Sequence, residues 1–303
     1  MRSADFRAVV EPVLTEVFDG RYDMRANEYK QIFFEGPGIA RSYHEEAVLY
    51  GFGAAPELPD GKPVTYDEGG TLYVQRYIYR VFGLAFALTR VLVQDGDHIR
   101  IGTVYSKHLA NSMIETKETR CANVMNRAFN SSYVGGDGVA LVVNNHPIIG
   151  GTASNLLTTA AVLSQTSLEQ ILIQIRNAVD SNGKKIRLKP KKIVCSPSQE
   201  FQAEVVTKSV LRTGSSYATY NDINPINSKS MLTDETAVIS RLTSTTAWFV
   251  QTDAPEGLKV LTRGDLEKSM EGDFETDSIR YKSVERYAEG WTDWRAIYGT
   301  PGT

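Results

Sequence analysis

A few places in the sequence bring together residue types that could do chemistry. Asp95, Asp97 and His98 fall within four positions, and carboxylates beside an imidazole suit a divalent cation. The same residues suit a helix start, with Asp97 as N-cap and its charge matched to the helix dipole. Gly135-Gly136-Asp137-Gly138 has the glycine content of a phosphate cradle, but lacks the lysine and the strand-loop-helix order of a P-loop, so it reads as a turn. Cys195 precedes Ser196-Pro197 at an expected strand end, where a nucleophile could be displayed. No histidine follows His146 to activate it, so a buried thiol is expected. His44, His98, His108 and His146 all lie in the first half, and His108 falls on an apolar helical stripe as a core residue would. No catalytic, cofactor-binding or metal-binding residues are assigned.

Charge is more informative. Lys184, Lys185, Arg187, Lys189, Lys191 and Lys192 place six cations within nine positions, interleaved with Ile186 and Leu188. This is either a solvated strand edge or a patch for a polyanion. Asp265, Glu267, Glu271, Asp273, Glu275 and Asp277 form an acidic counterpart, relieved only by Lys268. A hydrated loop is expected there, or pairing between subunits with a basic run.

Positioning such groups takes a folded body, and the chain is long enough for two globular parts or one elaborated one, with 303 residues, 42% hydrophobic and 23% charged. Net charge is -3, from 33 basic and 36 acidic residues, so no overall positive field exists for tight general DNA binding. The N-terminus has acids where a signal peptide needs an apolar centre. The longest apolar run, Val81 to Val93, is interrupted by Thr89 and Arg90 and is too short for a membrane span. Cys121 and Cys195 have neither metal nor disulfide spacing and are read as reduced thiols.

Along the chain, residues 1–32 read as an extended arm with one short helical stretch, Val9 to Phe18, stopped by Gly20. Residues 33–67 are rich in glycine and proline turns, and Thr71 to Val93 is strand-like in its β-branched and aromatic content. Together they predict a long two-stranded projection, which is marginal in water by itself and must lie on a neighbour. Apolar residues from Ile101 to Phe129 then recur at helical spacing with no glycine or proline between Gly102 and Gly135. A helix over about 99–130 would be roughly 48 Å long, a spine rather than a routine core helix. Beyond it come a short strand over 139–143, an amphipathic helix capped by Ser167 with Gln170 in the capping-box position, a buried strand at Ile193 to Cys195, a helix opened by Pro197, and a strand centred on Trp248-Phe249-Val250. The class is α+β.

This order of parts resembles the major capsid protein of tailed bacteriophages, with the Hong Kong 97-like fold, and is similar to its Mu-type major head subunit. The likeness rests on Asp137-Gly138, His146-Pro147, Gly150-Gly151, Leu163-Ser164, Ser167-Leu168-Glu169, Asp180-Ser181-Asn182-Gly183-Lys184, Pro190 to Val194 and Ala247-Trp248-Phe249. Its sharpest part is the ending: Glu285-Arg286-Tyr287, Gly290-Trp291-Thr292-Asp293-Trp294-Arg295 and Ile297-Tyr298-Gly299. The resemblance implies an N-arm over 1–32, an extended E-loop with flanking strands over 33–94, a peripheral domain with the spine helix over 95–139, a mostly axial domain over 140–265, and a return to the peripheral domain over 266–303.

It further implies a structural subunit that self-assembles through hexamers and pentamers into an icosahedral head shell around double-stranded DNA, with no cofactor and no turnover. The E-loop residues Tyr50, Glu57, Lys62, Tyr66, Asp67, Glu68, Tyr73 and Arg76 are then expected at subunit interfaces, and Trp291, Trp294 and Tyr298 in C-terminal packing. Fifteen tyrosines, five of them between Tyr50 and Tyr79, suit such interfaces. Expected partners are a portal, a decoration protein, DNA held without sequence specificity, and a separate scaffolding protein, because the arm begins at Met1. The expected location is the virion capsid, and the host cytoplasm during assembly, with no membrane contact. Cross-linking members of the family join an E-loop lysine, here Lys62 by position, to a late asparagine. No asparagine follows Asn227, and Gln251 is the only later side-chain amide, so an uncross-linked shell is expected. An encapsulin-like compartment shell shares the fold, and a metal-dependent hydrolase using Asp95, Asp97 and His98 is the reading of a different class.

Overall fold

The structure is a computed structural model that describes residues 3–24, 27–95, 98–212, 223–273 and 278–302. In chain order its elements are α1 (Ser3–Met24), β1 (Phe34–Pro37), β2 (Tyr43–Tyr50), β3 (Gly70–Ile78), β4 (Arg80–Leu88), α2 (Arg90–Gln94), α3 (His98–Asn126), β5 (His146–Ile148), β6 (Gly151–Ala153) and α4 (Gln165–Arg176). There follow β7 (Pro190–Cys195), α5 (Glu200–Lys208), α6 (Pro225–Ser228), β8 (Ala237–Val238), β9 (Trp248–Thr252), β10 (Leu258–Thr262), β11 (Glu267–Gly272), β12 (Ile279–Trp291) and β13 (Ile297–Thr300).

The 13-residue strand β12 organises the first sheet. On one edge it pairs antiparallel with β10 and then β11; on the other it pairs with all of β4, from Ile279 opposite Leu88 to Tyr287 opposite Arg80. Parallel strand β1 completes this sheet beside β10. A second sheet has the order β13-β9-β7-β8.

Helix α3 is the expected spine, with 29 residues and a length of about 44 Å. Its buried stripe Leu109, Ala110, Met113, Ile114, Cys121, Ala122 and Met125 serves two cores at once. The first half of the stripe meets Val10, Leu14 and Phe18 of α1 together with Met270 and Tyr281. The second half meets Tyr29, Ile32, Phe33, Val194, Phe249, Val260 and Tyr287. A third core lies between the second sheet and helices α4 and α5, around Leu168, Ile171, Ile175, Ala203, Trp248 and Tyr298.

Several elements differ from the sequence expectation. The arm is a 22-residue helix rather than an extended segment, because Leu14 and Phe18 are fully buried against α3 and Ser106 Oγ donates to the Leu14 carbonyl at 2.7 Å; Gly20 does not stop it. Val91 and Val93 lie in α2, not in a strand. Residues 139–143 form no strand, although Ala140, Leu141 and Val142 are buried. The cap of α4 is Ser164, one turn earlier than Ser167. Ser167 instead occupies the third helical position, and the two side chains close a capping box.

The acidic stretch also differs. Its Glu267–Gly272 part is strand β11 rather than a hydrated loop, while Glu275 and Asp277 lie outside the described residues. Asp97, the expected N-cap of the spine, lies outside them too. β10 belongs to the first sheet, and β13 pairs with β9 in the second, from Ile297 opposite Gln251 to Thr300 opposite Trp248.

Candidate assembly surface

The hairpin β2–β3 pairs with no other strand among the described residues, and it has the alternating exposure of a ribbon that covers little core. From Tyr43 opposite Ile78 its register runs to Val48 opposite Tyr73, then shifts at Leu49. Beyond Tyr50 the chain is irregular, and residues 51–69 are all exposed. Phe52, Leu58, Val64 and Tyr66 lie there on the surface, Tyr66 at 95% exposure. Each such side chain stabilises by roughly 1.5–3 kcal/mol when a partner surface removes it from water.

The root of the hairpin is fixed by contrast. Tyr77 and Tyr79 are buried with Leu261 and Ala288. The Tyr77 hydroxyl lies 2.6 Å from Thr292 Oγ1, and the Tyr73 hydroxyl donates to the Thr292 carbonyl at 3.0 Å. Thr292 Oγ1 in turn donates to Glu46, whose carboxylate accepts from Lys259 Nζ at 2.7 Å. Lys259 also pairs with Glu256, and His44 Nε2 lies 3.2 Å from Glu46. Burial would raise the Glu46 pKa, but Lys259 and Thr292 outweigh it and hold the carboxyl below its usual range. Burial pushes the Tyr73 and Tyr77 hydroxyls up, so both are neutral donors.

Beneath the root sits the 135–138 turn. A Cβ at Gly136 would lie 2.8 Å from the Val74 carbonyl oxygen and 2.9 Å from the Gln75 Cα, so the backbones can touch only because that residue is glycine. The turn therefore acts as a support for the hairpin and does not show the form of a phosphate cradle. Its Asp137 Oδ2 lies 2.6 Å from His146 Nδ1, and His146 Nε2 lies 3.0 Å from Asn155 Oδ1.

The start of the exposed tip is tethered at a second point. Asp180 Oδ1 accepts the amides of Asn182 and Lys184 at 2.8 Å each, and Gly183 takes φ +76°, which closes a tight turn. Asn182 Nδ2 then donates to the Gly51 carbonyl at 2.7 Å and Lys184 Nζ to the Phe52 carbonyl. Across the tip, the Gly53 amide donates to Asp67 Oδ2 at 2.6 Å.

The eight hairpin residues singled out from the sequence thus fall into two groups. Glu57, Lys62, Tyr66 and Glu68 are exposed on the tip, and Asp67, also exposed, closes its neck. Tyr50, Tyr73 and Arg76 lie on the paired strands; Arg76 bonds Glu45 at 2.8 Å and covers the Tyr43 ring at 4.6 Å. Trp294 is 2% exposed and stacks on His146 at 4.1 Å, with the Arg295 guanidinium 4.5 Å from its ring centre. Tyr298 is buried beside Trp248, and Trp291 is half-buried over Gly135.

The chemical candidates do not converge. Cys121 and Cys195 are buried free thiols; burial pushes Cys195 up to about 11, away from the range of a nucleophile. Among the described residues no three His, Cys, Asp or Glu side chains could hold a metal, and no helix is long and apolar enough to cross a membrane. Gln251 sits within β9 and donates to the Ile32 carbonyl at 2.9 Å.

One polar cluster escaped the sequence reading. Lys117 of α3, 3% exposed, lies 2.7 Å from Glu285 and 2.8 Å from Glu35, with the rings of Tyr29 and Tyr287 at 5.5 and 5.3 Å. Burial works against the charge, but Glu285, Tyr22, Tyr29 and Glu35 prevail and raise the lysine pKa, while Lys117 holds Glu35 below its ordinary value. The cluster ties α3 to β1 and β12. Lys117 and Glu118 within a mainly apolar helical stripe were the available signal.

A comparison with curated proteins gives no sequence match. Among solved structures, the fold is similar to the capsid protein of Cyanophage P-SCSP1u, at 10% identity over 92% of this chain and 89% of that one, with a TM-score of 0.58. It is also similar to the capsid protein of an empty GTA particle (12% identity, 91% and 90% coverage, TM-score 0.52). A phage-related protein from Bordetella bronchiseptica RB50 aligns at 15% identity over 96% of this chain and 97% of that one, with a TM-score of 0.53. The family model described as phage capsid protein matches residues 78–300, which takes in α3, both main sheets apart from β1 and the Gly290 to Gly299 ending. The chain belongs to the phage capsid protein family, as a structural shell subunit with the α+β Hong Kong 97-like fold.

Proposed function

We propose that the β2–β3 hairpin is the E-loop of this shell subunit, and that it laps onto a neighbouring copy to join subunits into hexamers and pentamers around double-stranded DNA. The observation that carries this reading is the contrast within one ribbon: a root locked by Tyr77, Thr292, Glu46 and Lys259, and a tip exposing Phe52, Leu58, Val64 and Tyr66. A rigid base that presents unburied apolar side chains fits contact with another copy better than solvation. In this reading the sheet around β12 with α3 is the peripheral domain, and the β13-β9-β7-β8 sheet with α4 and α5 is the axial domain. Helix α1 is the N-arm. The reading also carries a scaffolding protein, a portal and an added decoration protein as partners, assembly in the host cytoplasm, a shell with no covalent cross-links, and no catalytic role.

The test is to replace residues 54–66 by two glycines, since Gly53 and Asp67 already meet across the neck. The expected protein is folded, with unchanged circular dichroism, and forms no stable shells by electron microscopy. Normal shells from this variant would overturn the lap.

A further inference from the structure

Folding gathers charges that the sequence scatters. Arg176 at the end of α4, Arg187 and Lys189 before β7, and Lys229 after α6 line one pocket of about 360 Å³. Leu188, Pro190 and Met231 supply its apolar floor, and Ser230 and Thr233 add two hydroxyl-bearing side chains. Several other cations, Lys117, Arg120, Lys184, Lys192, Arg241 and Lys259, sit in ion pairs. Arg176, Arg187, Lys189 and Lys229 are exposed, and none forms an ion pair with any described residue. The nearby Asp253 accepts the Lys189 backbone amide at 2.7 Å, and Asp234 pairs with Lys192 at 3.5 Å.

Two guanidinium forks, two ammonium groups and two hydroxyls are the donor set that phosphodiester oxygens accept, with no acceptor aimed at a base edge. We propose that this pocket binds the phosphate backbone of the packaged double-stranded DNA, and that this face of the subunit belongs to the inner wall of the shell. The proposal rests on the shell reading above and names which of its surfaces meets the genome. A net charge of -3 keeps a single subunit's affinity low. In a shell the same four cations repeat with every copy against densely packed phosphate, so weak local contacts suffice without attracting free DNA during assembly.

The test uses the full-length protein, as unassembled subunits and as closed shells, with a fluorescent DNA duplex of about 30 base pairs as probe. Wild-type subunits are compared with the quadruple variant Arg176→Gln, Arg187→Gln, Lys189→Gln and Lys229→Gln. A charge-matched control carries Arg41→Gln, Arg80→Gln, Lys107→Gln and Lys282→Gln. Only the pocket variant should lose binding, with a plot of log affinity against log salt shallower by about 3.6 units, near 0.9 for each of the four phosphate contacts. Both variants should still assemble, which separates this result from failure of the shell reading. Closed wild-type shells should leave added duplex unbound. Equal loss in the two variants, or closed shells that bind duplex as well as subunits do, would overturn the proposal. Displacement of the duplex by a peptide of residues 265–277 as effectively as by unlabelled DNA would also overturn it, assigning the pocket to the acidic stretch of another copy.

Discussion

The carboxylate of Glu46 on the hairpin lies 2.7 Å from the ammonium of Lys259 on β10, and this pair ties the ribbon to the β12 sheet. Lys259 is almost fully buried, so removing it leaves Glu46 and Glu256 without their cation. Lys259→Met is expected to cost about 3 to 5 kcal/mol in denaturant unfolding, whereas Lys259→Met with Glu46→Gln recovers part of the loss. If the single variant unfolds at the wild-type midpoint, the pair is not what holds the root.

Gly136 provides the second support. Gly136→Ala forces a methyl group into the Val74 and Gln75 backbone and should displace the hairpin root, visible as faster proteolysis between residues 51 and 69. Gly151→Ala, where a Cβ meets nothing within 4 Å, is the control and should be neutral. Equal cleavage rates in the two variants would refute the support.

Trp294 joins the ending to the body through His146 and the Asn155 amide, which donates to the Trp294 and Ile297 carbonyls at 3.3 and 2.8 Å. Trp294→Ala should therefore cost about 3 to 5 kcal/mol. An unchanged melting temperature would contradict this packing.

Stability should fall on both sides of neutrality. Glu35 and Glu46 have lowered pKa values in the fold, so their contribution is complete above the ordinary carboxyl value of 4.5 and is lost as pH falls through the folded values below it. Glu118, raised by burial, opposes them in a higher window: its unfolded form loses its proton first, so it subtracts stability as pH rises from 4.5 through its raised folded value. Lys117 is raised, so its contribution is complete below the ordinary lysine value of 10.5 and is lost as pH rises beyond it. Lys117→Met should flatten the alkaline limb of a melting-temperature profile while leaving the Glu46 part of the acid limb. An unaltered alkaline slope would show that the Lys117 cluster does not set it.

Boiled, denatured particles should run as one band near 33.6 kDa. Gln251, the only side-chain amide after Asn227, is held in β9 by its bond to the Ile32 carbonyl. A ladder of multiples resistant to reductant would show cross-linking after all.

Local periodicity made much of the fold legible in the sequence. The α3 stripe, the Pro190 to Cys195 and Trp248 to Val250 strands and the turn-rich projection each follow from residue spacing over a few turns, and the ending motif carried the family. The cap of α4 was misplaced by one turn because Ser164 and Ser167 both have capping side chains, and only the folded register selects between them. The length of α1 was missed because its stability comes from Leu109 and Met113 of α3, about ninety residues away.

The sequence by itself determined the long spine helix, the buried strands around Ile193 and Trp248 and the absence of a strong overall positive field. Tertiary structure alone decided which polar residues meet. Glu46 finds Lys259 and Thr292, Lys117 finds Glu35 and Glu285, and Arg176 and Lys229 join the Arg187 run, all across separations that no periodicity encodes. The physical reason is range: helix and strand patterns reflect neighbours a few residues apart, whereas an ion pair or a pocket depends on distances fixed only once the sheets have paired and the cores have closed.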